Sequence, residues 1–182
     1  MATRIWYETH STTLDNEAGI ATGWLPGELA PLGREQALAL GGRIRDRRPD
    51  AIFCSDLARA VQTASIALER SETEIPVLLD WRLRECDYGR LNGAPSVEVH
   101  HDRLRYLQLP YPDGESWQDA VDRVAAAVAD AAARHRERTI MIIGHIASYF
   151  GVRRAAGDRT PLGELITEPF DWQPGWAYDL HG

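Results

Sequence analysis

Four side chains in this sequence are of the types that can move a phosphoryl group between oxygen atoms: His10, Arg59, Glu85 and His145. A neutral imidazole can attack phosphorus and hold the transferred group covalently. An arginine fork matches two phosphoryl oxygens and stabilises the charge that builds on them in the transition state. A carboxylic acid can protonate a departing alcohol and later take a proton from water. A second imidazole, when protonated, adds a donor and positive charge. None of these steps requires a metal or other cofactor, and the remaining histidines form no metal-ligand pattern. His100-His101 reads as a surface pair on a helix, and His135 and His181 have no supporting neighbours. Taken singly, each of the four has a plainer reading. His10 and His145 are hydrogen-bonding residues at strand ends, Arg59 is a helix-surface partner of Asp56 or Glu69, and Glu85 is a solvated loop carboxylate.

What joins them is position. Residues 3 to 8 read as a strand that stops at His10, followed by Ser11-Thr12-Thr13 and Asp15-Asn16. A loop over 11 to 32 leads to a helix opening at Gly33. Its apolar face carries Ala37, Leu40 and Ile44, and Pro49-Asp50 stops it. Ala51–Cys54 is a continuous apolar run, as in a strand buried on both faces. Ser55-Asp56 then offers a helix N-cap. This places Arg59 in a first helical turn, where backbone N–H groups and the helix dipole favour anions. Ile75–Leu79 reads as a third strand whose exit segment carries Glu85, and residues 94 to 108 as a loose helix. Ser116 and Asp119 form a capping box for a long helix with Val121, Val124, Val128 and Ala132 on its buried stripe. Thr139–Ile143 is a strand that ends at Gly144-His145, and Ala177–Leu180 closes the chain as a last strand.

Strands alternating with helices imply a three-layer α/β/α sandwich with a mostly parallel central sheet. Right-handed crossovers bring the carboxyl ends of such strands to one edge, where ligands bind in open α/β sheets. His10, Arg59, Glu85 and His145 are therefore expected at a single site.

Composition narrows the class. The 182 residues are read as one domain, and the formal net charge of −7 argues against a nucleic-acid partner. The basic run Arg43–Arg48 is read as the solvated end of a helix. Two cysteines, Cys54 and Cys86, without paired spacing point to buried thiols in a reducing, cytoplasmic compartment. The N-terminus shows no signal-peptide pattern and no apolar run is long enough for a membrane partner. The expected partner is a small phosphorylated substrate, and a homodimer is left open.

Several segments in register carry a resemblance. Ser55-Asp56-Leu57-Ala58-Arg59-Ala60-Val61-Gln62-Thr63-Ala64 follows the pattern S-D-L-x-R-A-x-Q-T-A almost throughout. Leu29–Ala37 resembles L-T-x-x-G-x-x-Q-A, Leu83–Gly89 fits L-x-E-x-x-x-G, Gly114-Glu115-Ser116 fits G-E-S, and Gly144-His145 the start of S-H-G. His10 and Asn16 keep the spacing of a histidine and a later asparagine in R-H-G-E-T motifs. Over residues 3 to 150 the chain is similar to the histidine phosphatase superfamily, the phosphoglycerate-mutase-like fold. The resemblance implies that His10 is the nucleophile, His145 the second pocket histidine, Arg59 a phosphate clamp, Asn16 a further phosphate contact and Glu85 the general acid. Thr9, Ser11, Tyr88 and Ile146 fall where the substrate would be contacted.

The departures cluster at the site. Thr9 stands where the family has arginine, Ser11 and Thr12 replace the glycine and acid after the nucleophile, Ile146 replaces the glycine after the second histidine, and Glu8 fills a usually apolar position. The expected activity is hydrolysis of a small phosphomonoester through a phosphohistidine, with Arg84, Arg90 or a substrate cation replacing the lost arginine. The short chain argues against a mutase. One alternative is a changed substrate or reaction, with Glu8 orienting the His10 ring as a triad carboxylate does. Another is a non-catalytic binding module. A buried Glu8 paired with an arginine is the plainer reading of that residue.

Overall fold

The computed structural model describes residues 2–181. In chain order its elements are β1 (Ala2–Thr9), α1 (Leu14–Glu17), β2 (Ile20–Ala21), α2 (Pro31–Arg47), β3 (Ala51–Cys54), α3 (Ala58–Ser71), β4 (Val77–Leu79), β5 (Ala94–Pro95), α4 (Ser96–His101), α5 (Trp117–Arg134), β6 (Thr139–Gly144), α6 (Ile146–Ala155), α7 (Leu162–Leu165) and β7 (Trp176–His181). Five strands form one sheet in the order β4-β3-β6-β1-β7. β1, β3, β4 and β6 are parallel, and β7 joins β1 antiparallel. β2 and β5 pair separately.

Side-chain alternation along β6 explains the layers. Ile140 and Ile142 pack with Val124 and Val128 of α5 and Val152 of α6. Met141 and Ile143 pack with Leu40 and Ile44 of α2 and Ala60 and Ala64 of α3. Successive strand residues point to opposite faces, so a strand apolar at every position must be covered on both. Each fully buried isoleucine contributes roughly 1.5–3 kcal/mol, which makes this central strand the anchor of the sheet. The predicted α/β/α sandwich is thus observed, including the capping box at the start of α5, where Ser116 and Asp119 bond reciprocally to each other's backbone N–H. No helix among the described residues is long and apolar enough to cross a membrane.

Several local expectations are corrected. The 11–32 loop contains α1 and β2, and α2 starts at Pro31 rather than Gly33. The 94–108 segment breaks into β5, α4 and a 3-10 turn at Arg103–Tyr106. The third strand covers only Val77–Leu79 and lies exposed at the sheet edge. Leu57, not Ser55 or Asp56, is the N-cap of α3. Ser55 Oγ accepts the Leu57 N–H at 3.3 Å but also meets His145, and Asp56 pairs with Arg84.

The Arg43–Arg48 run is not simply a solvated helix end. Arg43 holds the buried Glu8 carboxylate with two bonds of 3.0 Å, and Arg47 adds one of 3.4 Å. Arg47 also lies 3.6 Å above the Trp6 ring. The same cluster fixes the approach to β7. A Cβ on Gly175, whose φ is +82°, would sit 2.7 Å from the Glu8 carboxylate, so only glycine lets the chain pass here.

Candidate active site

The nucleophile position is built by the loop that leaves β1. His10 donates its backbone N–H to the Gly144 carbonyl at 2.9 Å, which ties it to the end of β6. The next residues are clamped from two helices. Ser11 donates its N–H to Thr63 Oγ1 at 3.0 Å, and Thr12 donates to Gln36 Oε1 at 2.9 Å. α2 presses against this turn so closely that a Cβ on Gly33 would lie 1.9 Å from the Thr12 carbonyl oxygen. These contacts explain why a glycine and a glutamine far from His10 in sequence belong to the same pattern.

The His10 ring has a defined tautomer. Its Nδ1 lies 2.8 Å from the Ser11 carbonyl oxygen, which can only accept, so Nδ1 carries the proton. Nε2 then keeps its lone pair, and Arg59 Nε donates to it at 3.3 Å. Part of the ring stays accessible, but burial first and the Arg59 charge second push its pKa down to about 3. The ring is a neutral base and nucleophile at ordinary pH.

Arg59 sits in the first turn of α3 and is 2% exposed. Its Nη1 and Nη2 donate to the Leu25 and Gly23 carbonyls at 3.1 and 2.8 Å, so backbone oxygens hold the fork in place. It pairs with neither Asp56 nor Glu69. His145 is 1% exposed, with its ring centroid 5.0 Å from that of His10. Its Nε2 lies 2.9 Å from Ser55 Oγ. Burial, then the nearby Arg59, push its pKa well below the ordinary value. His145 Nδ1 and Arg103 Nε are the buried side-chain polar atoms without a hydrogen-bond partner among the described residues.

Glu85 is not a solvated loop carboxylate; it is 7% exposed. Its oxygens accept the N–H groups of Cys86 at 2.9 Å, Ala147 at 3.0 Å and Ile146 at 3.2 Å. It therefore sits at the start of α6, where orphan N–H groups attract an anion. Trp24 Nε1 and Arg123 Nη2 fix its backbone carbonyl at 2.7 and 3.2 Å.

A cavity of about 220 Å³ opens onto His10, Arg59, Glu85, Asn16, Tyr88 and Ile146. A second, of about 260 Å³, lies on the other side of His10 against Thr9, Asn16, His145, Ile146, Phe170 and Trp172. All four chemical residues expected from sequence thus meet at one edge of the sheet, each following a different strand. Arg59 is the cation that faces the first cavity and Glu85 the anion.

Comparison with known proteins agrees. Residues 8–160 match the family described as the histidine phosphatase superfamily, branch 1. The chain belongs to this superfamily. Its fold is that of the phosphoglycerate-mutase-like histidine phosphatases. Bacillus stearothermophilus YhfR is 28% identical with a TM-score of 0.83, over 97% of this chain and 90% of that one. A mycobacterial glucosyl-3-phosphoglycerate phosphatase is 27% identical with a TM-score of 0.78, over 91% and 85%. Among curated relatives, phosphoglycerate mutase 1 of Saccharomyces cerevisiae is 38% identical over 50% of this chain, and the match spans 38% of that protein. A mutase from Methylobacterium is 33% identical over 63% of this chain and 61% of its own length.

Two expectations fail here. Arg84 does not replace the missing arginine, because it grips Asp56 with bonds of 2.7 and 2.6 Å. Arg90 pairs with Asp113 on the exposed surface. Nor does Glu8 orient His10, since Arg43 and Arg47 hold its carboxylate and the Ser11 carbonyl orients the ring. The plainer reading of Glu8 is the observed one. Thr9 lines the second cavity, whereas Ser11 is buried and acts through its backbone. Asn16 reaches both cavities, and its side chain also caps the Thr13 N–H at 3.0 Å.

Ser55, Thr63 and Gln36, present in the sequence only as members of the matched segments, hold this site together with Trp24. Their contacts join residues far apart in the chain, so their roles were not legible from sequence. His100, read as half of a surface pair, contributes to the wall of the first cavity, because α4 folds back over it.

Proposed function

We propose that this protein hydrolyses small phosphomonoesters through a phosphohistidine on His10. The observation that carries the reading is the His10 tautomer, with its Nε2 lone pair directed at the one clamped guanidinium and its proton tied to the Ser11 carbonyl. In the first step Nε2 attacks phosphorus, the ester P–O bond breaks, and Glu85 in its protonated form gives its proton to the leaving alcohol. In the second, Glu85 as carboxylate takes a proton from water, the water oxygen attacks phosphorus, and the P–N bond breaks to release phosphate. Arg59 stabilises the equatorial oxygens in both. Neutral His145 presents Nδ1 as an unpartnered ring nitrogen beside His10. The relatives named above as phosphatase and mutase handle phosphate esters, and the mycobacterial phosphatase was solved with VO3.

The test is phosphate release from a panel of phosphomonoesters by wild type, His10→Ala and Glu85→Gln. Release that disappears in His10→Ala supports the reading. Glu85→Gln should leave a fast first turnover only for esters with good leaving groups, because these need no proton. Release unaffected by His10→Ala would sink it. A non-catalytic binding module is the second reading. It is favoured by Glu85 being held on the α6 N–H groups and by Arg59 being the one arginine among the described residues that lines the first cavity. Phosphate binding without turnover of any ester would select it. Within either reading, a small phosphorylated ligand, a cytoplasmic location and a homodimer are parts of the proposal.

A further inference from the structure

Three cavities meet at one side chain. Ile146 lines the 220 Å³ pocket with Arg59 and Glu85, and the 260 Å³ cavity with Thr9 and His145. It also lines an outer cavity of about 480 Å³ with His100, Arg103 and Phe170. Both of the buried unpartnered side-chain atoms noted above belong to residues on this system, one in the second cavity and one in the outer cavity.

Ile146 is fixed at both ends. Its backbone N–H is bonded to Glu85 Oε2 at 3.2 Å, so the main chain cannot withdraw without releasing the carboxylate. Its side chain packs against a buried cluster that includes Ala147, Phe150, Leu165 and Ile166. A side chain packed into that cluster on a bonded backbone is a wall rather than a gate.

We infer that Ile146 sets the size of the leaving group by separating the reaction pocket from the outer cavity. The inference deepens the phosphatase reading and rests on it. With Ile146 in place, the pocket beside His10 Nε2 is bounded by the isoleucine side chain on the side of Arg103 and Phe170. A leaving group large enough to extend that way would have to pass the position of that side chain. Glycine at this position would join the three cavities and let the leaving group extend towards Arg103 and Phe170.

The experiment uses two non-hydrolysable probes, methylphosphonate and phenylphosphonate, with binding measured by calorimetry on wild type, Ile146→Ala and Ile146→Gly. Thermal unfolding of each variant is recorded alongside, because glycine in a helix also weakens it. The expected result is that the ratio of the two Kd values shifts by at least tenfold in favour of phenylphosphonate in Ile146→Gly, with Ile146→Ala between. Steady-state kinetics on phenyl phosphate should show the gain in KM rather than kcat. A ratio unchanged within twofold in folded variants overturns the partition while leaving the phosphatase reading intact. Binding of neither probe to any form overturns both. Probe binding by wild type with no ester hydrolysis removes the phosphatase reading alone, and the ratio of Kd values still decides the partition.

Discussion

Arg59 Nε donates to His10 Nε2 across 3.3 Å, linking the clamp directly to the nucleophile. A guanidinium has donors only, so this contact requires the His10 lone pair to face the cavity before any ligand arrives. An incoming phosphoryl group must take over that donor. Arg59→Lys keeps the charge but removes the fork and the two bonds to the Gly23 and Leu25 carbonyls. Its kcat for phosphate release should fall about 100- to 1000-fold. Steady-state kinetics checks this, and a loss confined to KM would show that Arg59 only binds.

Stability should depend on the two pocket histidines in acid. In the unfolded chain both titrate near 6.5, whereas in the folded chain His10 is held at about 3 and His145 also lies below its ordinary value. Between those values the unfolded state binds more protons. Their contribution is therefore full above pH 6.5 and is lost progressively as pH falls towards 3. Tm measured from pH 7 to pH 4.5 should decrease, and His145→Asn should flatten that slope. An unchanged slope would mean that the buried imidazole does not govern the acid limb.

Restoring the family arginine should strengthen phosphate handling. The 260 Å³ cavity beside Thr9 provides room for a longer side chain. One charged hydrogen-bond partner is worth about 1.5–3 kcal/mol, so Thr9→Arg should raise kcat/KM about ten- to a hundredfold. The comparison is made with the same phosphomonoester panel. No change in kcat/KM would show that phosphoryl oxygens do not reach this side of His10.

Glu8 should matter for folding rather than chemistry. Its carboxylate is 3% exposed and held by Arg43 and Arg47, whose side chains keep 22% and 23% exposure. Glu8→Gln leaves two arginines that can partly rehydrate, so the loss should be about 2–3 kcal/mol, at the low end for a broken buried pair. Chemical denaturation measures it. Phosphate release per folded molecule should stay as in wild type, and a selective loss of kcat would reinstate a role for Glu8 at the His10 ring.

Much of the architecture was legible because it rests on local pattern. Ile140–Ile143 is apolar at every position, and only a strand covered on both faces satisfies that composition. Val121, Val124 and Val128 at helical spacing likewise predict the buried face of α5, and Ser116 with Asp119 its start. The shortened edge strand was not legible. Val77–Leu79 is as apolar as a core strand, yet it lies half exposed at the sheet edge, where nothing in its own sequence records the missing neighbour.

The same division runs through the site. Residue type and order alone determined that His10, Arg59, Glu85 and His145 follow four strands, and parallel strands joined by right-handed crossovers can only gather such positions at one edge. Tertiary structure decided how each side chain is used. Glu8 is two residues from His10 and lies on the same strand, but Arg43 and Arg47 arrive from α2 and take its carboxylate. Arg84 is one residue from Glu85, but Asp56 takes its guanidinium. Ser55 looks like a helix cap, and besides accepting the Leu57 N–H it meets His145 from the neighbouring strand. A charged side chain is committed by whichever partner reaches it with the least loss of solvation, and those partners come from elements distant in the chain.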